Sequence, residues 1–173
     1  MTRRLLIALA LLVLAGCGVR LTSADEPAPG EPLRGRVSHV VDGDTLKVRL
    51  RTHTETVRLI GIDTPETHRP DTPVECGGQA ATREMRRLAE GRTATLVTDP
   101  TQDRRDRYGR LLAYADVAGH DVAERLLRSG WGAVYVYGGH DFMRVLRYRA
   151  AALRARAAGR GLWRACGGDP HRG

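Results

Sequence analysis

The chain has 173 residues, of which 28% are charged and 42% apolar, and its formal net charge is +8. This length supports one domain with a hydrophobic core, and the composition excludes an intrinsically disordered chain. The basic side chains are arginines apart from Lys47. Because guanidinium groups bind phosphate with paired donors, nucleic acid or an anionic membrane is the expected partner. A coding bias toward arginine on a solvated surface is the alternative.

The first residues have the pattern of an export signal. Two arginines precede an apolar run, Leu5 to Ala15, that is too short to span a bilayer. The run leads into Gly16-Cys17, which resembles a bacterial lipoprotein signal in which Cys17 is acylated after cleavage. We therefore predict a signal peptide over 1–16, an extracytoplasmic location and membrane attachment only through a lipid on Cys17. Ordinary secretion with a chance cysteine is the alternative.

Local patterns divide the rest of the chain. A flexible linker is predicted over 17–33, where prolines and a glycine interrupt small and polar residues, then a folded domain over 34–166 and a tail over 167–173. Within the domain, the patterns predict strands over 37–41, 46–51, 57–62, 93–98 and 111–117. They predict helices over 78–90, 121–128 and 142–158. The last helix is assigned an apolar stripe formed by Phe142, Val145, Leu146, Ala152 and Leu153.

This order of elements predicts an α+β fold. Three strands, a helix and two more strands suit a five-stranded barrel of the OB type, with about three helices packed outside it. Barrels of this type present one face to oligonucleotides. We expect a monomer.

Cys76 and Cys166 are the cysteines that follow the export signal. In an oxidising compartment two thiols commonly form a disulfide, so we predict a Cys76–Cys166 bond, with two buried free thiols as the alternative. The chain has neither a Cys-x-x-Cys nor a His-Glu-x-x-His motif. A zinc site is therefore not expected.

Acidic residues follow two of the predicted strands. Asp42-Gly43-Asp44-Thr45 joins the first strand to the second, and alone it is a common hairpin signal. The third strand contains Arg58 and leads into Asp63-Thr64-Pro65-Glu66. A guanidinium in an apolar strand is costly unless it faces an anion or a carboxylate. If the two turns meet in one sheet, Asp44 and Asp63 converge, and two carboxylates with backbone carbonyls suit Ca²⁺ or Mg²⁺.

Two further segments carry charged or aromatic side chains. Asp106-Arg107-Tyr108-Gly109-Arg110 precedes the fifth strand, and alone it would be a solvated charged turn. In Tyr135-Val136-Tyr137 both rings project to one side of an extended stretch. There they either stack on a base or pack in the core.

Taken together, these segments resemble the staphylococcal nuclease (thermonuclease) family. They occur in the family's order over roughly residues 34 to 165, and the set is more specific than any one motif. The matching motifs are Val41-Asp42-Gly43-Asp44-Thr45, Arg58 with Ile62-Asp63-Thr64-Pro65-Glu66-Thr67, Asp106-Arg107-Tyr108-Gly109-Arg110, Tyr135-Val136-Tyr137 and Gly161-Leu162-Trp163.

The resemblance implies an enzyme that cleaves single-stranded and double-stranded DNA and RNA and leaves 3′-phosphate ends. Calcium would be held by two carboxylates and a backbone carbonyl, those of Asp44, Asp63 and Thr64. Glu66 would act as general base on a water molecule or position it. The phosphate would be bound by Arg58 and Arg110. The nucleotide pocket would be lined by Arg107, Tyr108, Tyr135 and Tyr137.

Two other functions are compatible with parts of the sequence. Degenerate relatives of the family are non-catalytic OB modules that bind nucleic acid or protein, but they would be expected to lack the arginines, the calcium carboxylates or the glutamate. A cell-envelope protein whose arginines meet anionic polymers would not explain the acidic residues among the basic ones. Neither alternative accounts for the whole set, so we favour a nuclease.

Overall fold

A computed structural model describes residues 31–67 and 73–168 of the chain. The predicted signal peptide, Cys17 and nearly all of the predicted linker lie outside these residues. The strands are β1 (Leu33–Val40), β2 (Thr45–Arg49), β3 (Thr54–Leu59), β4 (Ile62–Asp63), β5 (Thr93–Val97), β6 (Leu111–Val117), β7 (His120–Asp121) and β8 (Ala133–Val134). The helices are α1 (Gly78–Ala89), α2 (Val122–Ser129), α3 (Val145–Ala157) and the single turn α4 (Leu162–Ala165).

Five of the strands close into a barrel. β1 is antiparallel to both β2 and β5, β2 pairs with β3, and β5 pairs with β6, all antiparallel. A parallel pairing of β3 with β6 closes the cylinder. The predicted α+β fold with a five-stranded OB-type barrel is therefore confirmed, and three longer helices pack around it.

Buried apolar side chains alternate with exposed ones along the strands, and the buried ones fill the barrel interior. In β2 the side chains of Leu46 and Val48 are buried, whereas Lys47 and Arg49 are exposed. This period of two follows from the pleat, which directs successive side chains to opposite faces. β1 shifts its register against β2 between Val37 and His39. An extra residue of this kind bends the strand and helps a short sheet to close.

Ion pairs and hydrogen bonds attach α3 to the barrel. The Asp121 side chain caps α2 by accepting from the backbone N–H of Glu124, and it also accepts from the Tyr148 hydroxyl. The Arg144 guanidinium binds both Asp116, at 3.0 Å, and Asp121, at 2.6 Å. These buried and half-buried contacts fix the position of the segment that follows the two tyrosines of the Tyr135-Val136-Tyr137 motif.

The apolar stripe predicted for the last helix was wrong at two positions. Leu146 and Leu153 are 75% and 64% exposed. The buried face is formed instead by Val145, Tyr148, Ala151 and Ala155. Apolar residues therefore lie on both faces of α3, and periodicity alone cannot tell which face meets the core. Over the part of the chain that the structure describes, none of the helices is both long and apolar enough to cross a membrane.

The predicted disulfide is confirmed. The Sγ atoms of Cys76 and Cys166 are 2.08 Å apart, and the bond joins the residues just before α1 to the end of α4 across 90 residues of sequence. The barrel, the helices and this bond all lie within the described residues, so a chain that begins at residue 18 contains all of them.

We expect reduction of the Cys76–Cys166 bond to lower the free energy of unfolding by about 4 kcal/mol, because a long loop regains its freedom in the unfolded chain. Thermal or urea unfolding with and without a reducing agent measures the difference. The double variant Cys76→Ser/Cys166→Ser is the control, and its unfolding should not respond to the reducing agent. Identical unfolding curves for the oxidised and reduced wild type would contradict the expectation.

Candidate active site

Gly43 allows the turn between β1 and β2 to pack against the segment that follows β4. A Cβ atom built on Gly43 would lie 2.7 Å from the hydroxyl oxygen of Thr64. A glycine is thus required here because Thr64 packs directly against the backbone of the turn, and this packing constrains the position more than the hairpin turn does. The contact brings Asp44 against Thr64, whose backbone N–H and hydroxyl both donate to Asp44 Oδ2 at 3.0 Å.

Arg58 joins the two acidic turns. Its Nε lies 3.2 Å from Asp44 Oδ1 and its Nη2 lies 2.9 Å from Asp63 Oδ1. Its Nη1 donates to the carbonyl oxygens of Leu59 and Ile62 at 2.9 and 2.7 Å. The predicted convergence of Asp44 and Asp63 is therefore present, and the guanidinium in the apolar strand does face carboxylates. The side chain is 15% exposed, so the group is accessible from one side only.

The neighbourhood of Asp44 is rich in negative charge. Burial and the adjacent charge of Asp44 raise the pKa of Asp42 to about 7. Asp42 Oδ1 accepts a hydrogen bond from the backbone N–H of Asp44 at 3.0 Å, as in an Asx turn. Asp42 thus shapes the turn, and the close carboxylates make the site attractive to a cation.

The donor atoms of this site fit calcium. Asp44, Asp63 and Thr64 offer carboxylate and carbonyl oxygens, which are the hard ligands that Ca²⁺ takes. Burial and the charge of Asp44 both disfavour the ionised form of Asp42, which raises its pKa. Across residues 31–67 and 73–168, no group of three or more His, Cys, Asp or Glu side chains forms a metal cluster. The predicted ligand set, which includes a backbone carbonyl, remains a prediction.

Glu66 follows Asp63 by three residues and is held by its own loop. Its backbone N–H donates to Glu75 Oε2 at 2.7 Å, and its carbonyl accepts from the backbone N–H of Glu75 at 3.0 Å. Glu66 Oε1 accepts from the backbone N–H of Thr67 at 2.9 Å. Glu75 is buried and immediately precedes Cys76. The disulfide thus anchors the residue that holds the backbone of Glu66.

Asp106 positions Arg110. Its Oδ2 accepts from Arg110 Nε at 2.6 Å, and its Oδ1 accepts from the backbone N–H groups of Tyr108 and Arg110 at 2.9 and 3.0 Å. Partial burial alone would raise the pKa of Asp106, but these hydrogen bonds and the Arg110 charge lower it below the ordinary 3.8. The carboxylate therefore stays ionised at neutral pH and fixes one edge of the guanidinium.

The sheet register places Arg110 on the same side of the barrel as Arg58. In the parallel β3–β6 pair, Arg58 lies beside Leu112. Arg110 precedes Leu112 by two positions, and residues two apart in an extended strand share a face. Both arginines are partly exposed, whereas Leu111 and Ala113 point into the barrel. The two cations are therefore presented on one outer face.

The tyrosines border this region. The backbone N–H of Tyr135 donates to the carbonyl of Gly61 at 3.1 Å, and β8 pairs with β4, which ends at Asp63. The rings of Tyr135 and Tyr137 are 6.5 Å apart and are 45% and 66% exposed. They are thus surface rings, which excludes the core-packing alternative for this motif.

The third exposed tyrosine, Tyr108, lies beside Arg107 and Arg110. Tyr108 is 68% exposed. The guanidinium carbons of Arg107 and Arg110 lie 4.8 and 5.4 Å from its ring centre, and Arg107 donates to its hydroxyl at 2.7 Å. Cation–π contacts of this length hold the exposed ring near Arg110.

Sequence reasoning missed two residues of this site. Glu75 is one acid in a loop of prolines and glycines, and no pattern marked it. Asp106 was part of a motif but had no assigned role, although its spacing of four residues from Arg110 around Gly109 could have indicated the pair. Both act on the backbone or side chain of another residue, and such partners become visible only in the fold.

Known proteins are similar to this chain over much of the folded domain. The family profile described as "Staphylococcal nuclease homologue" matches residues 56–165, which include the site residues from Arg58 onward but not Asp44. The chain is 36% identical over 110 residues to the thermonuclease of Staphylococcus intermedius, with 64% of each chain covered.

Two relatives from Bacillus subtilis (strain 168) are also similar. The chain is 44% identical over 102 residues to the SPbeta prophage-derived endonuclease YokF, and the aligned region covers 58% of this chain and 34% of that protein. It is 42% identical over 102 residues to Endonuclease YncB, and the aligned region covers 58% of this chain and 48% of that protein. The chain therefore matches between about a third and about two thirds of the length of these curated relatives.

We expect Arg58→Met to lower the free energy of unfolding by about 3 kcal/mol, because it leaves the carboxylates of Asp44 and Asp63 without their shared cation. Urea unfolding in a calcium-free buffer measures the change. Arg36→Met is the matched control, since Arg36 is exposed on β1, and its effect should be within about 0.5 kcal/mol. Equal effects of the two substitutions would show that Arg58 does not hold the two turns together.

Proposed function

This chain belongs to the staphylococcal nuclease family, and from that premise we propose that it is a calcium-dependent endonuclease acting on DNA and RNA. In the proposed reaction, water attacks a phosphodiester phosphorus, the bond to the 5′ oxygen breaks, and the products carry a 3′-phosphate and a 5′-hydroxyl. The observation that carries the proposal is the ion-paired arrangement of Arg58 with Asp44 and Asp63 beside the loop of Glu66.

Arg58 and Arg110 are proposed to bind the phosphate and to stabilise the charge that develops on its oxygens. Each guanidinium is already fixed by carboxylates, Arg58 by Asp44 and Asp63 and Arg110 by Asp106. A donor that is oriented in advance costs little reorganisation when charge develops.

Glu66 is proposed to accept the proton of the attacking water or to orient that water. A carboxylate can serve as a base once its position is fixed. The double backbone link between Glu66 and Glu75 supports this role, because it fixes the main chain on which the carboxylate is carried. The leaving 5′ oxygen takes up a proton to complete the step.

Calcium would be held by the carboxylates of Asp44 and Asp63 and the carbonyl oxygen of Thr64. When bound, the ion would neutralise charge on the phosphodiester and orient it. The nucleotide would lie against Arg107, Tyr108, Tyr135 and Tyr137. Exposed rings stack on any base, and backbone contacts carry little sequence information, so we expect little sequence preference.

The site of action is proposed to be outside the cytoplasm. The Cys76–Cys166 disulfide supports this, since such bonds persist in oxidising compartments. Residues 1–16 would be removed as a lipoprotein-type signal peptide, and a lipid on Cys17 would attach the protein to the membrane. Detergent partitioning that Cys17→Ser abolishes would support the anchor, and a freely soluble wild-type product would contradict it.

We expect the chain from residue 18 to digest plasmid DNA with added calcium and to stop when a chelator is added. Glu66→Gln should lower the rate by about a hundredfold or more, because the amide cannot accept the proton. Glu84→Gln is the matched control, since Glu84 pairs with Arg87 on the surface of α1, and its rate should stay near wild type.

Inactivity of the oxidised wild type with calcium would overturn the nuclease proposal. Retained binding of DNA in that case would favour a non-catalytic OB module. Equal rates for Glu66→Gln and wild type would keep the nuclease but remove Glu66 from its proposed role. Products with these ends should be ligated only after a 3′-phosphatase has removed the 3′-phosphate and the 5′-hydroxyl has been phosphorylated, and this dependence would test the 3′-phosphate assignment separately.

We expect Asp106→Asn to lower kcat about ten- to a hundredfold while KM changes little, because Arg110 loses the charged partner that orients it. The amide oxygen can still accept from the backbone N–H groups, so the turn should fold. Asp103→Asn, an exposed change in the same loop, is the control. Steady-state kinetics on a short oligonucleotide gives both constants. A raised KM with unchanged kcat would assign Asp106 to substrate binding instead.

A further inference from the structure

A narrow apolar stripe runs along the exposed face of α3. Leu146 and Leu153 are 75% and 64% exposed. With Ala150 and Ala157 they recur at intervals of three and four residues, which places them on one side of a helix. This side lies opposite the face that buries Tyr148 and its neighbours. Within the described chain, no other element packs over these leucines.

Arginines border the stripe on both sides. On a helix with 3.6 residues per turn, Arg149 and Arg156 fall along one edge of the stripe and Arg147 and Arg154 along the other. All four are exposed. From Phe142 to Arg160 the chain contains no acidic residue. The outward surface of α3 is therefore a row of apolar side chains between two rows of positive charge.

The partners of these arginines differ in exposure. Arg147 pairs with Glu124, whose side chain is 16% exposed, whereas Arg149 pairs at 3.0 Å with the exposed Asp141. The Arg156 guanidinium lies 5.2 Å from the ring centre of Trp163. An exposed ion pair contributes little in water, so Arg149 can exchange its partner for another anion. Arg154 has no ion pair among the described residues.

We propose that this face of α3 binds the surface of a membrane that contains anionic phospholipid. The helix would lie parallel to the bilayer, with its leucines at the boundary of the acyl chains and its arginines at the headgroup phosphates. Long basic side chains reach the headgroups while their stems cover apolar surface. Two basic rows around an apolar row are the charge and shape that such a surface complements.

The same charge pattern disfavours two other occupants. A second copy of α3 would set arginine rows against arginine rows, which repel one another. A nucleic acid backbone would satisfy the arginines but would leave Leu146 and Leu153 without an apolar partner. An anionic bilayer satisfies both features at once. This surface is separate in sequence from Asp44, Arg58, Glu66 and Arg110, so the inference does not depend on nuclease activity.

The test uses the chain from residue 18, which keeps the whole fold and lacks the apolar run of the signal. Flotation with phosphatidylcholine vesicles, with and without phosphatidylglycerol, measures the partition coefficient. We expect binding to the anionic vesicles only. Leu146→Gln/Leu153→Gln should lower the partition coefficient on the order of tenfold, because two exposed apolar side chains are lost. Arg154→Glu should lower it by a similar factor.

Arg51→Glu is the matched charge control, since Arg51 is exposed in the turn between β2 and β3, and it should bind nearly as well as wild type. Circular dichroism verifies that each variant is folded. Unchanged vesicle binding by the leucine variant would overturn the proposal, as would equal losses for Arg51→Glu and Arg154→Glu. A wild-type dimer that the leucine variant abolishes would assign the face to a second copy. Loss of DNA binding in Arg154→Glu alone would assign it to nucleic acid.

Discussion

The site depends on one guanidinium. Arg58 lies in β3 and contacts Asp44 before β2, Asp63 in β4 and the carbonyls of Leu59 and Ile62. A mostly buried arginine is tolerable only because each of its nitrogens has a partner. The contacts hold two acidic turns together that would otherwise repel. Arg58 therefore has a structural role, and the cation site and the phosphate site that we propose would both lie against it.

Around this centre, the supporting contacts come from separate parts of the chain. Glu75 holds the backbone of Glu66, and the next residue, Cys76, is bonded to Cys166 at the end of α4. Asp106 holds Arg110 at the start of β6. Arg58 therefore lies on a strand of the barrel and Arg110 directly before one, whereas a disulfide-linked loop carries the carboxylate proposed as base. Loss of the disulfide should loosen that loop before it affects the barrel.

The buried and exposed faces of α3 differ in composition. Its buried face is attached to the barrel by Tyr148 and by the Arg144 pairs with Asp116 and Asp121. Its outer face carries exposed leucines between arginines, and these side chains take no part in the packing of the core. A nuclease tethered at a membrane would gain from a surface that sets its orientation, because the site must stay open to long polymers. The two proposals are thus compatible but independent.

The barrel, the three longer helices, the disulfide pair and the family could be predicted from the amino-acid sequence by itself, because alternation, helical periodicity and ordered motifs are local signals. The bounds of β1 and β3 differ from the predicted ones, and the short elements β4, β7, β8 and α4 were not predicted. The sequence also indicated that Asp44 and Asp63 would converge if their two turns met in one sheet. Only the tertiary structure decided that Gly43 serves close packing, that Glu75 and Asp106 support the site, and that Leu146 and Leu153 face solvent. The physical reason is that these features depend on which distant segment lies opposite, and a residue's own neighbours in sequence do not encode that.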